Sequence, residues 1–94
     1  MRLVFTHRGW KDYVWWQAND RATLRRINRL ADDTLRDPTA GIGKPEPLRH
    51  VLSGCWSRRI DEEHRLVYLV DGEDLVILQA RYHYETQNIG REYE

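Results

Sequence analysis

Residues Cys55 to Tyr82 read CWSRRIDEEHRLVYLVDGEDLVILQARY, and this stretch decides the fold. Three runs rich in β-branched, aromatic and other apolar residues, Cys55–Ile60, Arg65–Val70 and Leu75–Tyr82, are separated by Asp61-Glu62-Glu63 and Asp71-Gly72-Glu73-Asp74. Short polar joints of this kind turn one strand directly into the next, so the runs predict an antiparallel meander. Leu75-Val76-Ile77-Leu78 is apolar on both faces and suits a central strand. Upstream, Gly41 to Pro47 reads as a loop from its glycines and prolines, and a shorter strand is expected around His50–Leu52.

The first forty residues have helical periodicity instead. Arg2-Leu3-Val4-Phe5 reads as a short strand, and Thr6 as the N-cap of a helix running to about Asn19. Trp10, Tyr13, Val14 and Gln17 share one helical face, with Trp16 on its flank and Trp15 pointing away. Asp20 can cap a second helix, which Asp37-Pro38 stops. Its expected buried stripe is Leu24, Ile27, Ala31 and Leu35; Arg25, Arg26, Arg29 and Arg36 fall opposite, with Asp32 and Asp33, on a face expected to be solvated. The prediction is an α+β fold, two N-terminal helices packed on one side of a small curved antiparallel sheet.

Ninety-four residues suit one domain. Four Trp, five Tyr and one Phe supply apolar area, roughly 150–250 Å² for each aromatic buried. The single Cys55 excludes an internal disulfide and a multi-cysteine zinc site, and fits a reducing, cytoplasmic compartment. No apolar run approaches the ~20 residues of a membrane span, and no signal peptide opens the chain, so a soluble protein is expected. Zero net charge argues against a nonspecific nucleic-acid coat protein. Its distribution is uneven: residues 1–60 carry 12 basic and 6 acidic side chains, residues 61–94 carry 3 and 9. Thirteen of the 15 basic residues are Arg, whose planar fork suits phosphate.

Chemistry-bearing groups concentrate between Gly41 and Arg65 and recur in Arg81-Tyr82-His83-Tyr84. Cleaving an RNA phosphodiester needs a base for the 2′-hydroxyl, a cation for phosphate charge and an acid for the leaving oxygen. Glu46 sits between two prolines that stiffen the backbone on both sides; it reads equally as such a base and as an ordinary solvated loop carboxylate. His83 is the acid candidate, because histidine alone has an unperturbed pKa near neutrality; a space-filling histidine is the commoner case. Arg65 leads the apolar face of Val67 and Leu69, either as an edge residue in water or as a cation aimed into a cleft. Arg58 and Arg59 point to opposite faces of one strand, so only one of them reaches that cleft. Arg49 follows the Glu46 loop and could clamp a phosphate. Each arginine singly is by default a surface ion pair, with Glu62 and Glu63 as partners. His50, His64 and Glu63 do not match a metal-binding spacing. Cys55 is read as core, and Trp15 as a partner surface or an incidental exposed aromatic.

Gly43-Lys44-Pro45-Glu46-Pro47-Leu48, Leu52-Ser53-Gly54, Trp56-Ser57-Arg58-Arg59-Ile60, Glu63-His64-Arg65-Leu66-Val67-Tyr68 and Arg81-Tyr82-His83-Tyr84, taken in order, resemble the YoeB (Txe) toxins of the RelE/ParE superfamily. The resemblance covers nearly all of residues 1–84, including the aromatic first helix. It implies a RelE-like microbial ribonuclease fold over residues 1–84, with residues 85–94 as a polar, frayed tail where the family usually ends near Tyr84. It further implies the toxin of a bacterial type II toxin–antitoxin system, a metal-independent endoribonuclease that needs no cofactor and cuts messenger RNA in the A site of the 70S ribosome. On that resemblance Glu46 would be general base and His83 general acid. Arg65 would stabilise the transition state, Arg49 and Arg59 would hold RNA, Tyr84 would complete the active site and Glu63 would orient the arginines. A YefM-type antitoxin and a homodimer are the implied partners; DNA, lacking a 2′-hydroxyl, would not be cut. A non-cleaving RNA- or ribosome-binding translation inhibitor and a ParE-like gyrase inhibitor remain the alternatives, since a fold alone does not assign function.

Overall fold

The computed structural model describes residues 1–82. The chain runs β1 (Arg2–Phe5), α1 (His7–Asn19), α2 (Arg21–Arg36), β2 (Glu46–Pro47), a 3₁₀ turn (His50–Leu52), β3 (Trp56–Arg59), β4 (Arg65–Asp71) and β5 (Asp74–Gln79). One five-stranded sheet has the order β1-β5-β4-β3-β2. The expected meander is present: β2–β3, β3–β4 and β4–β5 all pair antiparallel. The sheet is nevertheless mixed, because β1 pairs parallel to β5, with Leu3 opposite Leu75 and Phe5 opposite Ile77. A parallel neighbour requires a long crossover; the helical pair and the other strands supply it.

Thr6 caps α1 by accepting the Gly9 N–H at 3.0 Å. Asp20 is the whole joint between the helices. Its N–H closes α1 onto the Trp16 carbonyl at 2.8 Å, and its carboxylate opens α2 by accepting the Thr23 N–H at 3.1 Å and the Thr23 hydroxyl at 2.8 Å. Both helices lie on one face of the sheet, where Trp16, Ile27 and Leu30 pack with Leu66, Tyr68, Leu75 and Ile77. Each such large side chain, once fully buried, contributes about 1.5–3 kcal/mol. Against the other face, Leu48, Leu52 and Cys55 close over Val67 and Leu78.

Four expectations need correcting. In α1 the buried positions are Gly9, Asp12 and Trp16, whereas Trp10 is 53% exposed. Aromatic character marks the wrong stripe because α1 meets the sheet through its smallest residue. In α2 the stripe is rotated: Ile27, Leu30, Asp33 and Thr34 are buried, and Asp33 is not on a solvated face. His50–Leu52 forms a 3₁₀ turn, closed by Leu52 N–H on the Arg49 carbonyl at 3.2 Å and Ser53 N–H on the His50 carbonyl at 2.9 Å. The last strand ends at Gln79, not Tyr82; beyond it, side chains take up most of the backbone groups, and β4 reaches them only through the Arg65 N–H on the Tyr82 carbonyl. Among the described residues no helix is long and apolar enough to cross a membrane.

Candidate functional site

Adjacent residues of β3 divide the two faces. Arg58 faces the helices and is fully buried. Its Nε donates to the Tyr68 hydroxyl at 3.2 Å, Nη1 to Asp33 Oδ2 at 2.6 Å and the Ile42 carbonyl at 3.1 Å, and Nη2 to the carbonyls of Asp37 at 2.6 Å and Ala40 at 2.9 Å. All five guanidinium N–H groups therefore have acceptors. Tyr68, its hydroxyl pKa raised by burial, donates to the Pro38 carbonyl at 2.6 Å. Asp33 also accepts the Ile42 N–H at 2.9 Å and pairs with Arg36. The Ile42 N–H first, then Arg58, hold its carboxyl below the usual carboxylate range.

This charged knot fixes residues 37–43 and thereby the approach to β2. Gly41 has φ +126°, and a Cβ there would lie 1.9 Å from Asp33 Oδ2; Gly43 has φ +82°, and its carbonyl accepts the Arg59 N–H at 2.6 Å. Both positions require glycine, for backbone conformation and for space. The loop then delivers Glu46 to the sheet edge, where it pairs with Ser57.

On the opposite, helix-free face the register gathers the charges. Glu46 pairs with Ser57; Arg59, two residues along the same strand, pairs with Arg65. Paired residues and i, i+2 residues share a face, so Glu46, Arg59 and Arg65 stand on one surface. Ideal strand spacings put the Cα atoms of Glu46 and Arg65 about 12 Å apart, a span that a carboxylate and a guanidinium can close around a phosphodiester. Glu46, Arg49 and Arg59 are exposed; Arg65 is half-buried, its Nη1 donating to the carbonyls of Asp61 at 2.7 Å and His64 at 3.0 Å. Arg49 opens the 3₁₀ turn that flanks this surface. Glu63 reaches His64 Nε2 at 3.6 Å. Further along β4 the same face becomes apolar at Val67, under Leu48 and Leu52. His83 and Tyr84 lie outside the described residues, as do residues 85–94.

What the described chain does fix is the exit from β5. Asp12 accepts the Ala80 N–H at 3.0 Å, and Trp16 donates its indole N–H to the Ala80 carbonyl at 2.7 Å. Burial pushes the Asp12 carboxyl up, against the lowering effects of that N–H, Arg8 and Arg81. Gln79 Nε2 donates to the carbonyls of Arg81 at 2.8 Å and Tyr82 at 3.1 Å. Tyr82 has φ +65°, a left-handed conformation costing roughly 1–2 kcal/mol outside glycine. Arg81 lies 3.6 Å above the Trp15 ring and 4.5 Å from the Tyr82 ring. Asp12, Trp16, Asp33 and His64 were not singled out in the sequence as holding the site. Asp12 and Trp16 are one helical turn apart, which is the signal that their shared face carries.

An apolar recess of about 200 Å³, walled in part by Phe5, Trp10, Tyr13 and Ile27, opens among the helices and contains no charged group. It is remote from the charged face and offers no acid–base chemistry. Among the described residues no three His, Cys, Asp or Glu side chains gather to hold a metal ion.

The sequence matches, over residues 5–84, the family described as "YoeB-like toxin of bacterial type II toxin-antitoxin system". It is 61% identical over 84 residues to Toxin YoeB of Streptomyces coelicolor, covering 89% of this chain and 100% of that protein. A YoeB/ParE toxin from Agrobacterium tumefaciens superposes with a TM-score of 0.87 at 48% identity, over 89% of this chain and 100% of its own. A chain of the YoeB–YefM complex from Staphylococcus aureus superposes with a TM-score of 0.82 at 40% identity, over 89% and 98%.

Proposed function

The chain belongs to the YoeB-like toxins of bacterial type II toxin–antitoxin systems, and from that premise we propose that it is a ribosome-dependent endoribonuclease that cuts messenger RNA in the A site. The observation that carries this reading is the strand register that sets Glu46, Arg59 and Arg65 on one open sheet face. Glu46 takes the proton from a ribose 2′-hydroxyl, whose oxygen attacks the adjacent phosphorus. His83 gives a proton to the departing 5′-oxygen. The products are a 2′,3′-cyclic phosphate and a 5′-hydroxyl. Arg65 neutralises charge that grows on the phosphoryl oxygens, where fixed cations act most strongly.

Arg49 and Arg59 hold flanking phosphates, and Tyr84 completes the reacting set. Glu63 orients the arginines. The attacking group belongs to the RNA, so the reaction requires no metal and passes over DNA. A YefM-type antitoxin is the inhibitory partner, its acidic segment suited to the arginines of this face, and a homodimer in the cytoplasm is the working form. Residues 1–84 make up the toxin domain.

Primer extension on a defined message in a translating bacterial extract tests the reading. A new end at the A-site codon, absent with His83→Ala, is the expected result. Arrested translation with an intact message would point to the non-cleaving inhibitor, and normal translation to a gyrase target.

A further inference from the structure

One histidine has no part in the reaction as written, yet it touches the segment that leads into it. His64 Nδ1 accepts the Tyr82 N–H at 2.6 Å, while the neighbouring Arg65 N–H donates to the Tyr82 carbonyl at 3.0 Å. His64, just before β4, and Arg65, its first residue, therefore grip Tyr82 from both sides, His64 across 18 positions of sequence. Tyr82 stands at positive φ, so its backbone is held in an orientation that it does not favour alone.

His64 is itself well seated. Asp61 Oδ1 accepts its N–H at 2.7 Å, and its carbonyl accepts the Ile60 N–H at 3.0 Å. The imidazole stands edge-on to Trp16 at 4.8 Å, which in turn is tied to Ala80. Its side chain is only 13% exposed. Acceptance at Nδ1 requires the tautomer with the proton on Nε2, the nitrogen that faces Glu63.

We propose that His64 is a positioning residue for RNA cleavage: by accepting the Tyr82 N–H it fixes the backbone of the residue that directly precedes the proposed general acid, His83, in sequence. This inference rests on the ribonuclease reading above. The hydrogen bond that matters is made by Nδ1, so an asparagine, whose Oδ1 can take the Nδ1 place, should substitute. A glutamine, which extends toward the Nε2 place, should not.

The test compares His64→Ala, His64→Asn and His64→Gln with wild type by two readouts. The first is the Tyr82 amide resonance and its protection from hydrogen exchange. The second is kcat and KM for cleavage of ribosome-bound message. His64→Ala is expected to lose the hydrogen-bonded amide shift and about 10²-fold in kcat, the scale of an ångström-size misplacement, with KM unchanged. His64→Asn is expected to recover most of both, and His64→Gln neither. A wild-type Tyr82 amide in His64→Ala, or no advantage of Asn over Gln, would overturn the proposal. Wild-type protein that cleaves no message would overturn the ribonuclease reading and the catalytic half of this one together. The Tyr82 amide would then still decide whether the clamp exists.

Discussion

Arg58 and Arg59 are neighbours in sequence and opposites in use. Arg58 is fully buried on the helix side with five acceptors; Arg59 is exposed on the open side, its backbone N–H on Gly43 and its side chain in the company of Arg65. The same side chain thus serves as an internal fastener on one face and as a solvent-facing cation on the other. What separates the two is saturation. A guanidinium whose donors are all satisfied inside the protein has nothing left for a substrate, and only a partly satisfied one can bind phosphate.

The contrast can be broken at either end. Glu46→Ala and His83→Ala, on the reacting side, should each lower cleavage about 10²–10⁴-fold while leaving fold and antitoxin binding intact; primer extension and a thermal melt check this. Undiminished cleavage by either variant would sink the acid–base assignment. On the fastening side, Arg58→Ala should cost about 3–5 kcal/mol of stability, as when one member of a buried pair is removed, and urea denaturation reads it directly. Arg59→Ala should melt like wild type and cleave about 10–100-fold less, the loss of one charged hydrogen bond. Equal melting losses for the two arginines would erase the contrast.

Two carboxylates sharpen it further, because their shifts have opposite sign. Asp33, held low, contributes stability that is present above the ordinary carboxylate value and lost as pH falls through its lowered one. Asp12, pushed up by burial, contributes most below the ordinary value and loses it as pH rises through its raised one. Acidification should therefore shrink the advantage of wild type over Asp33→Asn and move the comparison with Asp12→Asn in favour of wild type. Denaturant titrations across the carboxylate range would show the two trends, and parallel trends would refute them. The smallest effect is expected from deleting residues 85–94, beyond the matched family region. Cleavage should be unchanged or raised, and a loss in the extract assay would count against treating that segment as dispensable.

The sequence made local features legible and concealed those that depend on long-range partners. Thr6 and Asp20 cap where expected, because an N-cap bonds only two or three residues ahead. The β3–β4–β5 meander was readable from its polar joints. The parallel place of β1 was not, since nothing within Arg2–Phe5 records that its partner is Leu75–Ile77. Asp33 looked solvated among arginines because its partner, Arg58, is 25 residues away. In the candidate site, Glu46 and Arg65 were conspicuous as residue types. That Arg59 rather than Arg58 shares their face rests on strand register, which periodicity alone leaves undetermined.

Because Arg58 draws its acceptors from α2, from the loop that follows and from β4, it makes the order of assembly matter. The loop has a first anchor on α2, where Asp33 accepts the Ile42 N–H, and gains its second when the β3–β4 hairpin brings Arg58 and Tyr68 against it; Glu46 reaches the sheet edge only by pairing with β3. A chain still emerging from its own ribosome, with β3 and β4 not yet available, lacks the sheet edge on which Glu46 sits. On the function proposed above, the face that carries Glu46, Arg59 and Arg65 is complete only once β4 has paired, which leaves an interval during synthesis in which an antitoxin can meet the chain before it is competent. Pulse-labelled amide exchange during refolding, with Arg59 N–H protected no earlier than the β3–β4 amides, is the outcome this order requires.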